Sequence, residues 1–226
     1  DTVERYQINS MSIVGDAFAK PILRTLDAEP NRWDISSLRV IVSSGVMFAA
    51  ETKAGLLRHS ERLIMVDALG SSEAIGMAQN TTSSAGESKT ASFELGPNTK
   101  ILTEDGREVQ PGSDEIGRVA LKGNTPIGYY KDPEKSAKTF QVINGVRWSI
   151  PGDWASIDAD GTVRLLGRGS QCINTGGEKV YPEEVEEALK LHPTVADAAV
   201  VGIPDERFGQ AITALVEALP GQTIVE

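Results

Sequence analysis

Apolar positions follow two different periods along the chain. Between residues 10 and 90, short apolar runs at Leu38-Arg39-Val40-Ile41-Val42 and Leu63-Ile64-Met65-Val66 alternate with helical spacing, and Ala49 to His59 reads as a crossover helix. That alternation predicts a parallel sheet with covering helices. Residues 80–92 are rich in Thr, Ser, Ala and Gly, a loop or linker composition. Beyond them the period drops to two, with tight turns at Glu104-Asp105-Gly106, Ile143-Asn144-Gly145 and Asp158-Ala159-Asp160-Gly161. A small antiparallel sheet or barrel is expected there. It contains one helix, from about Pro133 to Phe140, opened by Asp132 as cap and Pro133 at the first helical position. After Gly167-Arg168 come an apolar strand, a glycine pair, a helix from near Pro182 with acids in its first turn, and strands at about 196–202 and 211–217. The fold class is therefore α/β in three modules: parallel α/β over 1–90, antiparallel β over 91–168 and a small α+β piece over 169–226.

A chain of 226 residues can bury a sizeable core. Its formal charge is −10, and no run of basic residues exists to track a phosphate backbone, which excludes nucleic acid as a partner. Residues 169–226 hold 10 acids against 3 bases, a composition shift that supports a boundary near 169. Cys172 is the sole cysteine, so a reducing, cytoplasmic setting is expected. No apolar run approaches the roughly 20 residues of a membrane-spanning helix, and no signal peptide opens the chain. The start at Asp1 and the stop at Glu226, just after a strand-like run, suggest a piece of something longer.

Two places combine residue types suited to nucleotide chemistry. Gly70-Ser71-Ser72-Glu73 follows a strand at the carboxyl edge of the parallel sheet, where open α/β folds bind ligands. Glycine lets backbone approach a phosphate, hydroxyls donate to it, and a glutamate can hold a divalent cation that bridges phosphates. A plain surface turn with a solvated glutamate has the same sequence. Farther on, Gly152-Asp153 and Gly167-Arg168 stand at opposite ends of one β-hairpin. A carboxylate there can accept from both hydroxyls of a ribose while a guanidinium donates to neighbouring oxygens. An ordinary surface salt bridge fits the spacing equally.

In order along the chain, Gly70 to Glu73, Gly117 to Pro133, Gly152-Asp153, Gly167-Arg168, Gly176-Gly177-Glu178-Lys179-Val180-Tyr181-Pro182-Glu183-Glu184-Val185-Glu186, and Leu191-His192-Pro193 through Pro204-Asp205 resemble the motifs of adenylate-forming enzymes. Acyl-CoA synthetases, luciferases and peptide-synthetase adenylation domains belong to that superfamily. The resemblance implies a large adenylation domain made of the first two modules and a truncated small carboxy-terminal domain. It implies ATP or AMP, magnesium and coenzyme A as cofactors, and a fatty, steroid-derived or other hydrophobic carboxylic acid as substrate. By the same resemblance Gly45, Val46, Met47, Gly70, Ser71 and Ser72 line the adenine and acyl site, Ser72 contacts phosphate, and Glu73 is the magnesium ligand. Asp153 anchors the ribose and Arg168 makes a second ribose or phosphate contact, so Ser72, Glu73 and Arg168 are the catalytic candidates. Leu69 stands where the family has an aromatic residue stacked on adenine, Pro151 where it has threonine, and Ser170 at its hinge where Asp or Lys is usual. Gly177 matches the glycine set against the pantetheine arm. The family's phosphate loop would precede Asp1 and its late lysine would follow Glu226. The implied activity is an acyl-CoA synthetase, with an acyl-AMP ligase serving a carrier protein and a noncatalytic nucleotide-binding piece as alternatives, and a homodimer stays open.

Other chemistry-bearing residues read as structural. His59 closes a basic helix end, His192 before Pro193 reads as a cap, and Cys172 as a small hydrophobe in an apolar strand. Two histidines and one cysteine so far apart assemble neither a zinc cluster nor a Ser/His/Asp arrangement. Glu183-Glu184-Val185-Glu186-Glu187 reads as a solvated helix face.

Overall fold

The computed structural model describes residues 1–86, 89–169 and 172–224. The chain forms two compact units, one of Asp1–Pro151 with Ser156–Arg164 and one of Gly152–Ala155 with Leu165–Glu226.

The first unit opens with α1 (Thr2–Tyr6), β1 (Ser10–Ile13), α2 (Gly15–Ala28), β2 (Val40–Ser44), α3 (Ala50–His59) and β3 (Ile64–Ser71). β1, β2 and β3 pair in parallel, with Ser10 beside Val40 and Val40 beside Ile64, as the alternating pattern predicts. Ile13, Leu26, Ile41, Phe48, Leu56 and Met65 are among the side chains that form the core here, and their removal from water is the main force holding the helices to the strands.

The parallel run stops at β3. β4 (Ala74–Thr82) folds straight back on it in antiparallel register, Met65 opposite Thr82 and Ser71 opposite Ala74. Residues 80–82 therefore belong to a strand rather than to the expected linker. Sequence pattern misses this strand because Gly76, Ala74, Ala78 and Asn80 carry little β propensity and its buried positions do not alternate.

β5 (Ser92–Leu95), β6 (Thr99–Leu102), β7 (Gly117–Lys122), α4 (Pro133–Thr139), β8 (Phe140–Ile143), β9 (Val146–Ser149), β10 (Asp153–Ile157) and β11 (Val163–Arg168) follow in the chain, and the pairs β4–β5, β5–β11, β6–β7, β7–β9 and β8–β9 are antiparallel. Strand order is β1-β2-β3-β4-β5-β11-β10-β7-β9-β8, with β6 paired to β7. Asp132 caps α4 as expected, its Oδ1 accepting from the Lys135 N–H at 2.9 Å. The β10–β11 hairpin runs through both units: its turn end, residues 156–164, belongs to the first and its open end to the second.

In the second unit β12 (Ile173–Thr175), β13 (Glu178–Val180), α5 (Pro182–Lys190), β14 (Val195–Asp205) and β15 (Gly209–Ala218) form a small α+β body. Its antiparallel sheet has the order β13-β12-β15-β14. α5 packs on β14, where Ala198 and Val200 are buried. Glu186 is not simply solvated: its Oε1 accepts from the Val200 N–H at 2.8 Å, fixing helix to strand.

Candidate functional site

In the first unit, two expected segments leave neighbouring points of one sheet edge, because Ser44 at the end of β2 pairs with Ala68 in β3. Gly45-Val46-Met47 is the first. Gly45 takes φ +88, Val46 is exposed and Met47 half-buried. This segment is strapped to the start of α2: the Gly15 N–H donates to buried Ser43 Oγ at 3.0 Å, Asp16 N–H to Met47 O at 3.0 Å, and Ala49 N–H to Asp16 Oδ1 at 3.2 Å.

Leu69 to Glu73 is the second. Its register shifts between Leu69 and Ser71, and Gly70 sits where a Cβ would come within 3.3 Å of Ala74 O and Gly76 N. Ser72 and Glu73 then form the two-residue turn into β4. Ser72 is exposed. Glu73 is held at three atoms: its N–H donates to Ser71 Oγ at 3.2 Å, its carbonyl accepts from Ser149 Oγ at 2.7 Å, and its Oε1 accepts from the Tyr129 hydroxyl at 2.6 Å. The Tyr129 bond, outweighing partial burial, holds the Glu73 carboxyl below its ordinary range, with the Lys135 ammonium adding to the effect. Glu73 is therefore ionised at neutral pH, the Ser71 hydroxyl and its own N–H adding to the pull of Tyr129.

Tyr129 is itself positioned. Its N–H donates to Ser136 Oγ at 2.7 Å, its ring meets Phe140 at 5.7 Å between centroids, and Lys135 Nζ lies 4.2 Å above it. Tyr129 and Ser149 were assigned no role from sequence. Tyr129 lies in the Gly128-Tyr129-Tyr130 motif, but only the fold separates it from Tyr130, which is 87% exposed. No group of three or more His, Cys, Asp or Glu residues able to hold a metal exists among the described residues. A cation at Glu73 would thus take most of its ligands from water and phosphate, the usual habit of magnesium.

The second unit brings Asp153 and Arg168 together. Gly152, at φ +110, turns the chain into β10, and Asp153 is 7% exposed at its first position. Arg168 ends β11, half-exposed, with Nε 3.4 Å from Asp153 Oδ1. Gly169 N–H closes the open end of the hairpin on Gly152 O at 3.0 Å. Glycine is required at 169, where a Cβ would stand 2.3 Å from Trp154 Nε1. Glu183, from the first turn of α5, sets its carboxylate against Gly167, 3.1 Å from where a Cβ would lie. Burial raises the Glu183 carboxyl above its ordinary range, the charges of Glu186 and Asp153 add to that, and Arg168 opposes it.

Gly177 occupies the β12–β13 turn, Thr175 opposite Glu178 with Gly176 at φ +58 and Gly177 at φ +93. Positive φ at both central residues is the requirement of a type I′ hairpin, so the turn alone accounts for glycine. A Cβ on Gly177 would meet nothing within 4 Å. Ser170, the expected hinge, lies outside the described residues. His59 bonds Asp27 Oδ1 at 2.6 Å and His192 bonds Thr194 Oγ1 at 2.9 Å, both in structural roles at helix ends. Cys172 is half-buried just before β12 rather than fully buried.

Residues 184–226 match the AMP-binding enzyme C-terminal domain family. The chain is 46% identical over 222 residues to a medium/long-chain-fatty-acid–CoA/3-oxocholest-4-en-26-oate–CoA ligase of Mycobacterium tuberculosis, covering 97% of this chain and 40% of that protein. Among solved structures it superposes on the amide bond synthetase McbA of Marinactinospora thermotolerans with TM-score 0.82 and 27% identity, over 99% of this chain and 44% of that one. The anthranilate CoA ligase AuaEII, solved with anthranoyl-AMP, gives TM-score 0.78 at 27% identity, over 100% of this chain and 42% of that one. The chain thus spans about 40% of the length of the curated relatives it matches. The ordered motifs, the α/β fold with its small antiparallel second unit, and these matches together make the chain similar to adenylate-forming enzymes in sequence and fold, with residues 184–226 matching the AMP-binding enzyme C-terminal domain family.

Proposed function

We propose that this chain forms part of an ATP-dependent acyl-CoA synthetase, which joins a carboxylic acid to the α-phosphate of ATP, releases pyrophosphate, and passes the acyl group to coenzyme A with release of AMP. The observation that carries this reading is the Asp153–Arg168 pair, a nearly buried carboxylate and a half-exposed guanidinium 3.4 Å apart. A nucleotide suits that pair better than solvent does: the carboxylate accepts from ribose hydroxyls, and the guanidinium nitrogens donate to ribose or phosphate oxygen. Glu73, ionised at the edge of the sheet, fits as the protein ligand of a magnesium ion carried on the phosphates, and magnesium would supply charge neutralisation there. Ser72, Gly70 and Gly45-Val46-Met47 fit the nucleotide and acyl contacts, and Gly177 a close passage for pantetheine. A fatty or steroid-derived acid is the substrate class suggested by the activity for which the mycobacterial relative is named.

In a chain of full family length carrying this sequence, Asp153→Ala should lower acid-dependent pyrophosphate exchange by at least about tenfold, the scale of one lost charge-assisted hydrogen bond. Unchanged exchange would overturn the ribose role. Saturable dependence of product formation on coenzyme A separates this reading from carrier-protein loading.

Tyr129→Phe removes the bond that orients Glu73. The magnesium concentration for half-maximal exchange should rise by roughly tenfold, the lower end of what the loss of a hydrogen-bond partner to a metal ligand costs. A maximal rate that falls with no change in that concentration would mean that Tyr129 serves the fold and not the cation.

A further inference from the structure

Apart from the nucleotide candidates, the first unit carries a groove of about 530 Å³ on the face of β6, β7 and β9, within the volume range of small-molecule sites. Strand periodicity builds it. Lys100 pairs with Ala120 and Lys122 with Trp148, so Lys100 and Leu102 of β6, Lys122 of β7, and Val146 and Trp148 of β9 share one face. Leu102, 4% exposed, and Trp148, 8% exposed, form an apolar floor backed by Ala120 and Ile150.

Two turns clasp one end of the groove. Asn144 Nδ2 donates to Gly106 O at 3.2 Å, and Gly106, at φ +82, lies so close that a Cβ would stand 2.6 Å from Ile143 Cγ2. Both turns fall where the sequence places them, and none of the nucleotide candidates named above lies between them.

The charges of the rim are not equivalent. Lys100 is committed to Glu108 at 2.6 Å, and Arg107 to Asp105 and Glu115 at 2.8 and 3.1 Å. The Lys122 ammonium meets no carboxylate among the described residues. On the same face Arg118, opposite Leu102, keeps its Nε buried with no hydrogen-bond partner. Arg118 does not line the groove, so the slot sets apolar side chains beside one ammonium that meets no carboxylate among the described residues, that of Lys122. A neutral occupant would leave the exposed Lys122 ammonium unpaired, whereas a carboxylate can pair with it. A phosphate-rich occupant would find too few donors.

We propose that this groove binds a flat apolar carboxylate, with the ring on Leu102, Val146, Ile143 and Trp148 and the carboxylate on Lys122.

The test is a titration of the isotope-labelled chain with 2-naphthoate, followed by amide shifts in nuclear magnetic resonance, beside the neutral isostere 2-naphthalenemethanol. The expected result is saturable shifts centred on Gly106, Lys122, Asn144, Val146 and Trp148. Lys122→Gln, an exposed change that leaves the strand intact, should weaken naphthoate by about fivefold, the size of one partly screened ion pair, and leave the alcohol unchanged. Val146→Glu should weaken both. Equal naphthoate affinity in the Lys122→Gln chain overturns the proposal, as do shifts confined to residues 45–48 and 69–73, which would mean that the acid goes to the acyl site instead.

Discussion

Lys53→Met is expected to lower the unfolding free energy of the first unit by about 3–5 kcal/mol, the usual cost of removing one partner of a buried ion pair. Lys53 is 1% exposed. Its ammonium lies 3.2 Å from Asp67 Oδ2, donates to Lys89 O at 2.9 Å and stands 5.2 Å over the Phe48 ring. Methionine fills the space but strands Asp67, which is 6% exposed, without a counterion. Burial already raises the Asp67 carboxyl above its ordinary value, Lys53 pulls it back, and Asp16 pushes it up further. Without Lys53 it rises again.

A raised value means that the folded chain holds a proton which the unfolded chain has released. Stability therefore falls as pH rises from the unfolded value to the folded one, and the whole cost is present above the latter. Urea unfolding of the Lys53→Met chain should show a small loss near pH 4 and the full loss at pH 7.5. The double change Lys53→Met with Asp67→Leu should recover most of it, since a packed apolar pair often matches a buried ionic one. A loss under about 1 kcal/mol at neutral pH would mean that water reaches Asp67.

Gly15→Ala should be nearly as damaging. Gly15 takes φ +47, where an L residue costs roughly 1–2 kcal/mol. Its new Cβ would lie 2.2 Å from Met47 O and 2.6 Å from Val46 O, both backbone atoms. The segment 45–48 must move, breaking the Asp16 N–H to Met47 O bond at 3.0 Å, and the total loss should exceed about 2 kcal/mol. On the proposed role of that segment at the nucleotide and acyl side, the KM for both should rise in a full-length chain. Thermal unfolding and exchange kinetics check the two parts separately. A variant with unchanged midpoint would show that the strap between α2 and residues 45–48 yields freely.

What could be read in advance was mostly local. The cap Asp132 and the first-turn Pro133 fix α4 within a few residues of chain, and the apolar runs at 38–42 and 63–66 became β2 and β3. Asp153 and Arg168 were legible as partners because one hairpin carries both, so their meeting needs no tertiary knowledge. Glu73 and Tyr129 are 56 residues apart, and no periodicity links them. Lys53 defeats pattern reading for another reason: a lysine in a helix is normally solvated, and only the fold reveals the carboxylate waiting inside. β4 was missed because its pairing, rather than its residues, makes it a strand.

The shared hairpin also bears on how such genes exchange parts. The boundary between the units is crossed at residues 151–152, 155–156 and 164–165, so no single break divides the chain cleanly into its two bodies. A recombination point between 153 and 168 would take the aspartate from one parent and the arginine from the other, with Trp154 and the Gly169 that must fit beneath it equally mismatched in origin. Breaks before Gly152 carry Asp153, Trp154, Arg168 and Gly169 together as one heritable block. Swaps between relatives at that point should yield folded chimeras more often than swaps inside the hairpin.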